Sequence, residues 1–396
     1  MSVSAPGRTE SGRRAARAGA RRVATLAFAA QGVSVAAVYT TVPAVTEHQG
    51  LSPLLTTATL VAVALAAGFG SFLGLAAVRV AGPVATMRGA LLTAAVALIL
   101  IGQAPGPGTA VCAYVLFGLA VGGLDVGINT RAATIEHAYG RSVFGSFYTA
   151  WSVGGVLAAL LTAGTARLAL PVGDGLTVQA GFLLLIVCCL RTHSLPSAQV
   201  PSAQPPLGRR LWLRLLPFGL VLLVVYVVDS TVSAWSAVYL RGPLAASLTV
   251  APMAYAAYQG GTVVGRASVD RLVQRVGTVA VVRTAALVVA GALAGMAIAP
   301  SWPFAVLAAG VVGLAASVLA PLCLASAARL RPAASETVLA RLNLFNYAGV
   351  LTGGAVSGLL GSTGEFRLAY AAPAALALLV LAGARHFTRP PRTSEA

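Results

Sequence analysis

The chain of 396 residues is 58% hydrophobic and 9% charged, against about 25% charged in an ordinary soluble domain, which excludes a water-soluble globular protein. Its formal net charge of +17 comes from 27 basic and 10 acidic residues. The basic residues are scattered over short loops instead of forming one face with interleaved aromatics, which excludes a nucleic-acid binder.

An apolar run of about 20 residues crosses a bilayer as a helix, and twelve follow one another: 23–45, 54–77, 84–103, 109–133, 143–164, 175–190, 213–239, 249–268, 279–299, 303–327, 339–361 and 366–386. Turn-forming stretches such as 104–108 and 171–175 separate them. The expected fold class is therefore all-α integral membrane, with twelve transmembrane helices in two six-helix pseudo-symmetric halves. The Arg-rich stretch 1–22 reads as a disordered, uncleaved cytoplasmic tail, because the run after it is too long for a signal peptide and eleven more spans come later. Residues 23–190 form the expected N-terminal bundle, 191–212 a cytoplasmic linker rich in Pro and Ser, 213–386 the C-terminal bundle and 387–396 a second cytoplasmic tail. Only Arg167, Arg241 and Arg367 fall in loops on one side, leaving 24 of the 27 basic residues on the other. Cytoplasmic loops carry such an excess, so both termini are expected in the cytoplasm of a cell (inner or plasma) membrane protein.

A charge at the bilayer centre costs about 2.5–3.5 kcal/mol on insertion scales, so an intramembrane acid marks function. Eight of the ten acids lie in loops, tails or span ends, which leaves Asp125 and Asp229 as candidate proton-coupling residues. Asn129 follows Asp125 on the same helical face, and Arg131 is expected to snorkel to the cytoplasmic end. Polar stripes at helical spacing surround the two acids. Span 1 offers Gln31 and Ser34; span 5 offers Tyr148, Trp151 and Ser152. Span 7 offers Tyr226, Ser233 and Ser236, and span 8 offers Tyr255, Tyr258, Gln259 and Thr262. Span 11 offers Asn343, Asn346 and Tyr347. Gln31, Asn129, Tyr148, Trp151, Tyr226, Ser233, Tyr255, Tyr258, Gln259, Asn343, Asn346 and Tyr347 are the candidate substrate-binding residues; neutral hydrogen-bonders and rings suit a polyol, a glycoside or an amphipathic metabolite. Part of every stripe is equally suited to hydrogen bonding between helices. Glycines four apart, such as Gly70 with Gly74 and Gly118 with Gly122, let helices approach closely. Cys112, Cys188, Cys189 and Cys323 sit in apolar runs at no metal-ligand spacing, and no cofactor is expected.

The halves echo each other. Gly74 to Arg79 corresponds to Gly265 to Arg271, and Gly118 to Gly313, at offsets of 192 (from the arginines) and 195. Two such halves with the site between them form a transporter architecture. At these residues the chain resembles the major facilitator superfamily, and within it the branch of bacterial fucose–proton symporters and related inner-membrane permeases. A Gly…Asp-Arg…Gly signature follows span 8 as Gly265, Arg266, Asp270, Arg271, Arg275 and Gly277. Its first copy keeps Gly74, Arg79 and Gly82, with Val78 at the acidic position. Asp125 with Asn129, residues 146–155, and 229–240 fit the same branch. The resemblance implies the major facilitator fold. It further implies that Gly74, Arg79, Gly265, Arg266, Asp270, Arg271 and Arg275 work as a cytoplasmic gate. The resembled symporters use a second acid in span 1, and 23–45 contains none, so fucose itself is not the expected solute.

The function expected from these features is secondary active transport of a small polar or amphipathic solute, proton-coupled and working by alternating access. The expected partners are that small molecule, protons and the lipid bilayer, with the monomer as the working unit. The alternative is proton-driven efflux of a drug or secondary metabolite. A membrane-embedded enzyme is disfavoured, since no catalytic or phosphate-binding motif occurs. A membrane sensor would carry a soluble domain, for which 1–22 and 387–396 are too short.

Overall fold

A computed structural model describes residues 10–140, 143–190, 209–331 and 335–387. Among the described residues there are thirteen α-helices and no strand: α1 Glu10–Gln49, α2 Pro53–Ala81, α3 Pro83–Gln103, α4 Pro107–Tyr139, α5 Phe144–Arg167, α6 Val172–Cys189, α7 Arg209–Arg241, α8 Met253–Val276, α9 Thr278–Ala297, α10 Trp302–Ala316, α11 Leu319–Ala328, α12 Ser335–Ser362 and α13 Phe366–Gly383. Eleven spans are long and apolar enough to cross a membrane, with α10 and α11 joined in one span, Trp302–Ala328. The helix outside that set is α8, 24 residues long, which carries Gln259, Arg266, Asp270, Arg271 and Arg275. With it the described residues supply the twelve long helical segments expected, eleven of them candidate spans, and the protein is a multi-pass membrane protein.

The helix ends follow local chemistry. Proline opens α2, α3 and α4, where its missing N–H is no loss. Gly82 and Gly277 connect α2 to α3 and α8 to α9 with nearly the same backbone, φ 82° with ψ 163° and φ 82° with ψ 158°. That region of φ/ψ space is open essentially to glycine alone, which is the physical reason both copies of the loop signature close on this residue. Glu136 near the end of α4 accepts hydrogen bonds from the N–H groups of Val143 and Phe144 (2.8 and 3.1 Å) and so caps α5. Between α10 and α11 the helix breaks at Ser317 and Val318, because Pro321 has no N–H for the Ser317 carbonyl and its ring crowds that carbonyl.

Three boundaries differ from those expected. Residues 10–22 are not disordered but extend α1; the Arg21 guanidinium reaches Ser146 Oγ (3.4 Å) and lies 5.8 Å from the Tyr139 ring centroid. Alanine and arginine are strong helix formers, and a polar, Arg-rich composition hid that propensity. Helix α7 begins at Arg209, inside the expected linker, the rest of which lies outside the described residues. Helix α8 starts at Met253 after a series of turns and runs on to Val276, well past the apolar run 249–268, since arginines continue a helix as readily as apolar residues do.

Within a bilayer, helices associate by close packing of small residues rather than by the hydrophobic effect, and the glycines show where. A β-carbon at Gly70, Gly74 or Gly122 would collide with the backbone of Leu119, Gly123 or Ala67, at the crossing of α2 and α4. At the crossing of α8 and α10, Gly261, Gly265 and Gly313 stand against Gly310, Leu314 and Tyr258. Each of these six residues lies 191 positions after its counterpart. The internal repeat is thus present in three dimensions, with one correction: Gly313 takes the place of Gly122, not of Gly118, one turn away. Likewise α3 packs on α4 and α6, and α9 on α10 and α13.

The chain divides into two compact units. The first comprises Met1–Val38, Ala62–Leu161 and Leu170–Ser202; the second comprises Tyr39–Val61, Thr162–Ala169 and Ala203–Ala396. The second therefore takes in the end of α1, the start of α2 and the end of α5. Inside it Thr57 donates to the Gly358 carbonyl (3.0 Å), Thr40 and Thr162 share a hydrogen bond (2.9 Å), and Arg241 clasps Glu47 through two contacts of 2.6 and 3.3 Å.

The crossings supply a test. Gly313→Ala would drive a methyl into the Tyr258 carbonyl and should destabilise the purified protein by about 1–3 kcal/mol in a thermal melt. Gly68→Ala points into open space and should leave the melting temperature unchanged or raise it. Equal melting of both variants would show that the glycine crossings are not what holds these helices together.

Candidate functional site

In the first unit, Gly32 lies against the Trp151 carbonyl and Gly154 against the Ala29 carbonyl, so α1 and α5 meet without intervening side chains. That approach brings a polar cluster together. Asp125, half-buried in the middle third of α4, accepts hydrogen bonds at Oδ1 from Asn129 Nδ2 (3.2 Å) and, at longer range, from Gln31 Nε2 (3.4 Å). Asn129 also donates to the Asp125 backbone carbonyl (2.8 Å) and accepts the Tyr148 hydroxyl proton at Oδ1 (3.3 Å). Phe28 fixes the Tyr148 ring, the two centroids being 5.4 Å apart edge to face, while stacking on Phe147 at 5.4 Å. Gln31, Asp125, Asn129 and Tyr148 thus form one connected group across α1, α4 and α5. Arg131 does not snorkel to water: it is only 6% exposed, held among the helices six positions beyond Asp125.

The second unit has its own acid. Asp229 on α7 is half-buried and accepts the Tyr258 hydroxyl proton at Oδ1 (2.6 Å). Tyr39 and Tyr255 face each other at 6.5 Å with their planes 53° apart, and both lie within electrostatic reach of Asp229. Tyr255 extends toward Gln259, one turn on. The charge of Arg266, two turns beyond Tyr258 on α8, acts on both Asp229 and Tyr258. Ser233 and Ser236 lie one and two turns after Asp229 on the same α7 face; both are buried, and among the described residues their hydroxyls have no hydrogen-bond partner.

The other candidates are dispersed. Trp151 contributes its backbone carbonyl to the α1–α5 crossing, Tyr226 packs on the apolar core, and Asn343 and Tyr347 are exposed along α12, with Asn346 half-buried between them. Tyr148, Trp151 and Ser152 recur 195 positions later as Asn343, Asn346 and Tyr347, so two of the polar stripes are copies of one. Of the gate residues, Gly74 and Gly265 serve the helix crossings. Arg79, Asp270, Arg271 and Arg275 are exposed, and no ion pair joins them among the described residues. Sequence reasoning missed Tyr39, whose spacing from Gln31 and Ser34 along α1 continues their stripe by a turn. It also missed the pairing of Glu47 with Arg241, which only the tertiary structure reveals.

A family model, the Major Facilitator Superfamily, matches residues 218–396. An uncharacterised MFS-type transporter of Yersinia pestis is 28% identical over 377 residues, covering 92% of this chain and 94% of that protein. Over its C-terminal part the chain thus resembles the major facilitator superfamily. Further relatives are membrane protein MosC of Rhizobium meliloti, 26% identical over 66% of the chain and 64% of MosC, and an uncharacterised transporter of Sinorhizobium fredii, 28% identical over 69% and 73%. Among solved structures it is similar in fold to a mutant form of the nucleoside transporter NupG (TM-score 0.72, 14% identity, covering 94% of the chain and 100% of NupG). It is also similar to a bacterial homologue of the lysosomal transporter Spinster (TM-score 0.68, 14% identity, covering 96% and 97%). These likenesses show the fold of the chain to be that of major facilitator transporters.

The first cluster makes a prediction of its own. Gln31→Leu leaves the Asp125 carboxyl with one donor fewer in a low-dielectric setting and should cost about 1–3 kcal/mol of stability in a thermal melt. An unchanged melting temperature would mean that the long Gln31 contact holds nothing in place.

Proposed function

We propose that this transporter is a proton-coupled secondary carrier of a small polar or amphipathic solute, working by alternating access, with Asp125 as the group that takes up and releases the proton. The observation that carries the reading is the Gln31–Asp125–Asn129–Tyr148 cluster. A carboxyl in a membrane protein must be stable both charged and neutral if it is to carry a proton. Primary amides suit that need, because each offers N–H donors on one side and a carbonyl acceptor on the other. Gln31 and Asn129 donate to the carboxylate; with their amides turned over, either could accept from the protonated acid, so neither state orphans a buried polar group. Tyr148, bonded to Asn129 and 40% exposed, is the member of the cluster that a solute could reach. Solute binding at Tyr148 would then be felt at Asp125 through Asn129, which links the two occupancies. Asp270 and the arginines around it are read as a brace for the state in which they are paired.

Asp125→Asn mimics the permanently protonated acid. In proteoliposomes with an imposed pH gradient, screened with labelled sugars, polyols, nucleosides and amines, the variant should lose accumulation of the solute that the wild type concentrates. It should keep exchange of that solute between equal pools, because exchange needs no net proton movement. A variant that still concentrates solute removes Asp125 from the coupling role. Orientation is tested separately: a cysteine at Ser202, outside the described residues, should be labelled by an impermeant reagent only from the cytoplasm. Labelling from outside would reverse the topology read from arginine.

A further inference from the structure

We propose that the second unit holds a seat for an organic ammonium ion, built from the Asp229 carboxylate and the rings of Tyr39, Tyr255 and Tyr258. The proposal rests on the reading of this chain as a solute carrier and deepens it by naming a substrate class. Asp229 lies mid-helix yet keeps part of its surface open, which marks a carboxylate that borders a space rather than one sealed among helices. One of its oxygens takes the Tyr258 hydroxyl at 2.6 Å, which anchors the carboxylate and leaves the second oxygen to face an incoming group. Tyr39 and Tyr255, tilted against each other at 6.5 Å, add two aromatic rings within reach of the same charge. A carboxylate ringed by tyrosines is the chemistry that recognises ammonium groups: the anion supplies the charge, and the negative faces of the rings replace the water that the cation gives up.

The unpartnered hydroxyls give the seat its second point. Among the described residues, Ser233 and Ser236 are buried without hydrogen-bond partners on the Asp229 face of α7, and a buried polar group without a partner is costly. A ligand bearing a hydroxyl or an N–H beside its ammonium centre would satisfy them. Arg266 supplies the remaining element. Its charge acts on Asp229 at a distance, from two turns beyond Tyr258 along α8, and offsets part of the acid's charge when no ligand is bound. A cationic solute would sit closer to Asp229 than Arg266 does, and the charge of Arg266 favours the solute's departure. The division of labour is then plain: Asp125 for the proton, Asp229 for the solute.

The test is equilibrium dialysis of labelled choline against the purified full chain, with the uncharged isostere 3,3-dimethylbutan-1-ol as competitor. Choline should bind saturably and the isostere should not displace it. Asp229→Asn should weaken binding by about tenfold or more, as expected when a charge partner is removed. Tyr39→Phe should bind within about twofold of wild type, whereas Tyr39→Leu should lose about fivefold, since only the former keeps a ring. Arg266→Gln should bind choline more tightly. The three variants at positions 39 and 266 keep Asp229 itself, so they test the seat even where Asp229→Asn fails to fold. The seat is overturned if wild type binds no choline saturably, if the isostere competes as well as choline does, or if Tyr39→Leu binds as wild type does. Gradient-driven accumulation of a neutral solute without choline binding would overturn the seat alone. Choline binding without gradient-driven accumulation of any solute would overturn proton coupling alone.

Discussion

Where α2 crosses α4, and again where α8 crosses α10, a backbone carbonyl of one helix occupies the space in which a side chain of the other would stand. In hydrocarbon there is no hydrophobic force between helices, and every backbone polar group must be satisfied within its own helix. Contact area between backbones is therefore what association has to offer, and it is available only where glycine removes the β-carbon. Both units depend on it. The second-unit crossing also sets Tyr258, whose own carbonyl is the atom that Gly313 accommodates, so the same close approach that holds α8 to α10 fixes the donor that meets Asp229.

The two units repeat in architecture and differ in chemistry. The α5 stripe of Tyr148, Trp151 and Ser152 has its copy on α12 as Asn343, Asn346 and Tyr347, but the acids are not copies. Asp125 is on α4, whose counterpart position in the second unit, 191 residues on, is Ala316 at the very end of α10. There the repeat has lost its carboxylate and gained a helix break. Asp229 is on α7, where the first unit has Ser34 at the 195-residue offset. Amides surround one acid and tyrosines the other. A carboxylate among amides can change protonation with little rearrangement, while a carboxylate among rings is suited to a cation of some size. A duplicated scaffold thus sets its two acids in different surroundings.

Much of the fold is legible in the residues themselves. Apolar runs separated by turn residues locate the crossings, because length and hydropathy are what a bilayer demands. The Asp125–Asn129 pair is visible as well, since residues four apart share a helical face. What escapes is anything set by register between helices. Glycines every fourth residue announce that a crossing exists but not which turn meets which, so Gly118 stands in for Gly122 when the halves are aligned by sequence. Gln31 meets Asp125 only because α1 lies beside α4 in the folded chain. Tyr39, one tyrosine among ten, is ordinary until its distance from Tyr255 is known. The helical start of α1 is hidden for a different reason: polar composition argues for exposure, and exposure is not the same as disorder.

The ion pair between Glu47 and Arg241 joins the last turn of α1 to the last turn of α7 with side chains 46% and 37% exposed. Exposed pairs are worth at most about 1 kcal/mol and are screened over a distance of about 8 Å at physiological ionic strength. The junction between these two helix ends is consequently a weak spring whose stiffness depends on the medium bathing it. In dilute surroundings the two ends are drawn together; in brine they are nearly independent. Ionic strength at that face therefore sets how strongly this one contact ties the two helix ends.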